Sequence, residues 1–90
     1  MADMYNPAHP GELFDAYLNG VSLAEAARRV SVTRATLSRI RHGHASITAD
    51  MALRLAELFG TSAELWLDMQ TAHDLWVART KPRPKVDALV

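Results

Sequence analysis

The spacing of helix caps and helix stops constrains this chain more tightly than any other feature. Gly20 is followed by Ser22, Ser31 by Thr33, Gly43 by Thr48, and Gly60 by Thr61 and Ser62, which cuts the chain into five short stretches. A serine or threonine at such a position accepts a hydrogen bond from an amide of the first helical turn, and a glycine relieves the left-handed residue that ends a helix. Within each stretch the apolar residues recur at helical spacing: Leu13, Phe14, Tyr17 and Leu18; Leu23, Ala26, Ala27 and Val30; Leu37 and Ile40; Ala52, Leu55, Ala56, Leu58 and Phe59; Leu65, Trp66, Met69, Ala72 and Trp76. Pro10 suits a first helical position, and Ser22 with Glu25 has the form of a capping box. No stretch shows the period-two alternation of a strand. The pattern predicts an all-α, five-helix domain, with a third helix of about ten residues.

Size and composition narrow the class. Ninety residues support one core, nearly half of them are hydrophobic, and there is no cysteine to form a disulfide or a thiolate metal site. So small a domain must be held by packing or by a partner subunit, which points to a cytoplasmic oligomer. The opening residues lack the basic and apolar regions of a signal peptide, and no apolar run is long enough to span a bilayer, so no membrane role is expected.

The net charge is zero, which on its face argues against nucleic acid, but the charges are segregated. Residues 1–27 hold Asp3, Glu12, Asp15 and Glu25 with no Lys or Arg. Residues 28–46 hold Arg28, Arg29, Arg34, Arg39 and Arg41 with no acid. Residues 47–78 hold Asp50, Glu57, Glu64, Asp68 and Asp74 against Arg54, and residues 79–90 hold Arg79, Lys81, Arg83 and Lys85 against Asp87. The basic block at 28–46 coincides with the second and third helices.

These two helices meet the steric demands of a helix-turn-helix. Ala27 is small where the helices cross, Val30 and Val32 plug the turn, and Leu37 and Ile40 anchor the third helix from beneath. Thr33, Arg34, Ala35, Thr36, Ser38, Arg39 and His42 then point outward. Arginine can grip guanine O6 and N7, threonine and alanine methyls can meet the thymine methyl, and hydroxyls can bond phosphates or base edges. These seven residues are the candidate DNA contacts. An outward polar face is often no more than a soluble surface; here the turn spacing, the small crossing residue and the charge block all agree.

His9, His42, His44 and His73 lie on different elements, with no acid or cysteine placed to complete a site. No nucleophile motif or phosphate-binding glycine loop occurs. No catalytic residue, metal site or cofactor is expected, and an enzyme is the least expected class. Trp66 is expected in the core, whereas Leu75 and Trp76, near the end of helix five, are expected to meet a second subunit. The expected organisation is an N-terminal extension at 1–8, the DNA-binding domain with its C-terminal dimerisation helix at 9–79, and a flexible basic tail at 80–90.

The chain resembles the Xre/Cro helix-turn-helix group, and within it the HigA (VapI-like) antitoxins. The resemblance runs from about residue 7 to 78 and rests on His9-Pro10-Gly11-Glu12, Thr33-Arg34-Ala35-Thr36-Leu37-Ser38-Arg39-Ile40, Ala52-Leu53-Arg54-Leu55-Ala56, Gly60-Thr61-Ser62, Trp66, Gln70 and Asp74-Leu75-Trp76. It implies a lambda-repressor-like fold and a homodimer that represses its own operon at a palindromic operator. It also implies neutralisation of a HigB-type toxin, a ribosome-dependent mRNA endonuclease. The alternative is a free-standing regulator with no toxin partner. Ser31 stands where the family usually has glycine, Leu23 where a phosphate-binding polar residue is common, and Arg41-His42 where leucine-asparagine is common.

Overall fold

The computed structural model describes residues 7–90, so residues 1–6 of the expected N-terminal extension lie outside the described residues. A 3-10 turn at Pro10–Leu13 runs directly into α1 (Phe14–Leu18). It is followed by α2 (Leu23–Arg29), α3 (Arg34–Arg41), α4 (Ala49–Phe59) and α5 (Ala63–Thr80). No strand occurs among the described residues. The architecture is the expected all-α, five-helix one, with α2 packed on α3, α4 on α5, and the 3-10 turn wedged against both α3 and α5.

The caps explain where each helix begins. Ser22, Thr33, Thr48 and Ser62 each accept a hydrogen bond from the amide three residues on. Thr61 is therefore not the cap of α5; its hydroxyl instead accepts from the Trp66 indole at 2.8 Å. Asn19, with φ 48°, ends α1 ahead of Gly20, and Gly60, with φ 70°, ends α4. Two local expectations are corrected. Ser22 caps α2, but Glu25 does not reach back to it, because Arg28 and Arg29 hold its carboxylate instead. The third helix is eight residues long rather than about ten, because His42 caps it and Gly43 turns left-handed at φ 78°.

The core is formed by Phe14, Leu18, Leu23, Ala26, Ala27, Val30, Leu37, Ile40, Ile47, Met51, Ala52, Leu55 and Trp66. Phe14, Tyr17, Phe59 and Trp66 cluster with ring centroids 5.4–6.0 Å apart, which ties α1 to the α4–α5 corner. Helix five departs from its expected stripe: Trp66 is buried, Leu65, Met69 and Trp76 are half-buried, Ala72 is exposed, and Gln70 takes a buried place instead. The reason is length. Eighteen residues run about 27 Å, whereas the eleven of α4 run about 16 Å, so the last turns of α5 overhang the elements that could cover them. Beyond Thr80 the chain has no regular secondary structure and is exposed.

Candidate nucleic-acid interface

The turn between α2 and α3 is tightly built. Ala26 and Ala27 are fully or nearly fully buried at the crossing, and the Val32 amide donates to the Ala27 carbonyl at 3.0 Å. Ser31 adopts φ 60°, in the left-handed region that glycine enters freely and a serine enters at a cost of about 1 kcal/mol. A clamp from α4 holds this strained turn: Arg54 Nη1 donates to the Val30 carbonyl at 2.8 Å, while its Nε pairs with Asp50 at 3.1 Å. The sequence pattern assigns Arg54 no role beyond its place in the family motif. A signal is nonetheless present, since Arg54 is the one basic residue of the acidic stretch 47–78.

The far end of α3 rests on the His9-Pro10-Gly11-Glu12 segment. His9 Nδ1 accepts from the Gly11 amide at 3.0 Å, and Glu12 accepts from the His9 amide at 3.1 Å, which closes a capping box there rather than at Ser22. Pro10 and Gly11 are buried. A Cβ on Gly11 would lie 2.3 Å from the Ile40 carbonyl oxygen and 2.5 Å from that of Arg41, so only glycine permits this approach. Leu37 and Ile40, 0% and 3% exposed, complete the support. Gln70 secures the loop beyond: its Oε1 accepts from the buried Ile47 amide at 2.9 Å, and its Nε2 donates to Asp74 at 2.9 Å.

Thr33, Arg34, Ala35, Thr36, Arg39 and His42 are all exposed and Ser38 is half-buried, so the seven candidate residues lie off the buried Leu37 and Ile40 side of α3. They are not equally free. Thr33 caps the helix and shares a 2.9 Å hydrogen bond with the Thr36 hydroxyl. The His42 ring turns back on its own helix, with Nδ1 2.8 Å from the Ser38 carbonyl and 3.3 Å from its hydroxyl. Arg39 donates to the His44 carbonyl at 3.3 Å.

Ion pairing sorts the basic block. Arg28 and Arg29 both bind Glu25, whose carboxyl is pulled down to about 2 by hydrogen bonds first from Arg28 and then from Arg29. Arg41 pairs with Asp15 on α1 at 2.7 Å. Among the described residues, Arg34 and Arg39 are the arginines of the block without an acidic partner. Both side chains stand on the exposed side of α3.

The histidines pair up, contrary to their scatter in the sequence. His9 and His73 meet edge to face at 4.9 Å, and His42 and His44 stack at 6.5 Å. Burial, then the nearby His73, holds the His9 pKa below its ordinary value against the opposing pull of Asp74 and Glu12. No group of three potential metal ligands occurs among the described residues. Leu75 is exposed and Trp76 half-buried on the overhang of α5. No helix among the described residues is long and apolar enough to cross a membrane.

Known proteins share this geometry. The helix-turn-helix family model matches residues 16–66. The virulence-associated protein A' of Dichelobacter nodosus is 44% identical over 75 residues, which cover 80% of this chain and 65% of that protein. The HTH-type transcriptional regulator YddM of Escherichia coli is 36% identical over 74 residues, covering 80% of this chain and 79% of that one. The chain therefore spans about two thirds to four fifths of the length of these relatives. Among solved structures, the Pseudomonas aeruginosa antitoxin HigA with the higBA promoter superposes with a TM-score of 0.78 at 39% identity, covering 82% of this chain and 84% of that one. With an α2–turn–α3 unit of this geometry, and with this likeness over most of its length, the chain belongs to the helix-turn-helix family, in the branch that holds the HigA antitoxins and the virulence-associated proteins.

Proposed function

We propose that this protein is the antitoxin of a toxin–antitoxin module: a cytoplasmic homodimer that represses its own operon by laying α3 in the major groove of each half of a palindromic operator, and that also neutralises a HigB-type mRNA endonuclease. The observation that carries the DNA part is the exposed side of α3 with Thr33, Arg34, Ala35, Thr36, Ser38, Arg39 and His42, where two arginines that have no acidic partner among the described residues are offered to solvent on a helix supported at both ends. A duplex major groove admits a helix, and bidentate arginine contacts to guanine are the commonest specific contact there. The likeness to a HigA solved with promoter DNA supports the same reading. Two α3 helices related by a two-fold axis and set about 34 Å apart would meet half-sites one turn apart. This domain is built to bind rather than to catalyse.

Footprinting of the region upstream of the gene tests the first half. Protection of a palindromic segment is expected, and a uniformly unprotected region would refute it. Co-purification with the product of the adjacent reading frame tests the second. The likeness to YddM, named an uncharacterized HTH-type transcriptional regulator, favours one other reading, a free-standing regulator. That reading predicts DNA protection with no polypeptide retained from the neighbouring frame.

A further inference from the structure

The basic segment from Arg79 to Lys85 leaves α5 beside the end of α3, a juxtaposition the sequence order does not show. Val77, Ala78 and Lys81 line one shallow cleft with Gly43 and Ser46, the loop residues that closely follow α3, and with His9, Gln70, His73 and Asp74. Gly43 comes one residue after His42, the last of the candidate DNA-binding residues. The overhang of α5 therefore delivers the following chain to the C-terminal edge of the α3 face proposed to enter the groove.

That chain has the chemistry of a phosphate-tracking arm. Lys81, Arg83 and Lys85 alternate with Pro82 and Pro84, and Arg79 precedes them. Residues 79–85 are all exposed, and none has an acidic partner among the described residues. Asp74, the acid of the cleft, is engaged by the Gln70 amide at 2.9 Å. Lys81 is already extended, at φ −97° and ψ 148°. Alternating prolines hold φ near −65° and keep such a chain extended at about 3.1 Å per residue, so the three cations stand about 6 Å apart. Because proline restricts the free chain, ordering it along a surface costs less entropy than ordering a flexible tail. Lysine and arginine both bind phosphate, and phosphate is the repeating anion that would lie beside the end of a groove-bound helix.

We infer that residues 79–85 form a second DNA-binding element, an arm that lies along the sugar–phosphate backbone flanking each half-site and adds affinity without sequence preference. This inference rests on the reading of α3 as the DNA-binding helix. It commits to nucleic-acid phosphate as the arm's partner; an acidic protein surface is the competing occupant.

The test is the K81Q/R83Q/K85Q variant of the full chain, bound to two labelled duplexes of equal length over a range of salt. One duplex comes from the region upstream of the gene, and the other has a shuffled sequence. Each phosphate left unneutralised by the variant should lower the slope of log affinity against log salt by about 0.9, so a fall of about 2 to 3 per protomer is expected, with affinity about tenfold to a hundredfold lower at physiological salt. The weakening should be equal on both duplexes, with an unchanged melting temperature. A slope and affinity equal to wild type would overturn the inference, as would a variant that loses only its hold on a co-expressed neighbour polypeptide. If wild type binds neither duplex, the DNA-binding reading itself falls; if wild type binds and the variant matches it, only the arm falls.

Discussion

Gly11 and His9 carry more of the architecture than their size suggests. Because the Gly11 Cα sits against the carbonyls of Ile40 and Arg41, Gly11→Ala should push the 3-10 turn off α3, at a cost of about 2–3 kcal/mol in urea-induced unfolding. His9 is a titration-sensitive cap, since its Nδ1 must stay unprotonated to accept from the Gly11 amide. Folding holds its pKa below the ordinary value, so the folded state binds fewer protons than the unfolded chain. The stability it contributes is therefore complete above about pH 6.5 and is lost as pH falls from there towards the lowered value. His73, Asp74 and Glu12 are the charged or titratable groups that face it. His9→Asn keeps an acceptor at the cap and removes the titration, so its melting temperature should fall less than that of wild type between about pH 7.5 and about pH 5. Calorimetry at several pH values checks this.

At the scale of elements, the helices are legible in the sequence because their signals are local. Ser22, Thr33, Thr48 and Ser62 lie within three residues of the amides they cap, and Leu37 and Ile40 announce their buried side by spacing alone. What spacing does not show is contact across the chain. Arg54 reaches a carbonyl 24 positions away and Gln70 an amide 23 positions away, and neither partner is marked in the sequence. Glu25 could serve Ser22 or the arginines one turn on; two cations outcompete one amide. The inner side of α5 escapes the periodicity for a related reason, as an apolar residue on an overhang has nothing to bury against. The Gln70 hydrogen bond has a measurable consequence. Gln70→Ala strands the buried Ile47 amide and should cost about 1–3 kcal/mol, whereas Ser46→Ala, whose hydroxyl is 3.5 Å from Gln70 Nε2, should cost far less. Comparison of their denaturation midpoints decides whether the loop after α3 is held by this side chain.

The whole molecule is electrically neutral and yet polar in its layout, with acids on α1, α4 and α5, and with Arg34 and Arg39, which have no acidic partner among the described residues, on the exposed side of α3. Neutrality limits indiscriminate attraction to nucleic acid, while the exposed arginines supply a local field where the duplex would meet the protein. The palindromic target proposed for this protein would require two copies, and the exposed Leu75 beside half-buried Trp76 is the seam proposed for their pairing. Leu75→Glu would place a charge in that seam without disturbing the monomer core; the proposal predicts a wild-type dimer and a monomeric variant in sedimentation at the same concentration, and a variant as dimeric as wild type would place the seam elsewhere. The central claim, that the outward face of α3 reads DNA, is tested most directly by titrating the upstream duplex with Arg34→Ala and Arg39→Ala beside wild type. Each should weaken binding by about 1–3 kcal/mol while thermal stability holds, with relaxed discrimination against altered base pairs. Affinities equal to wild type for both variants would contradict it.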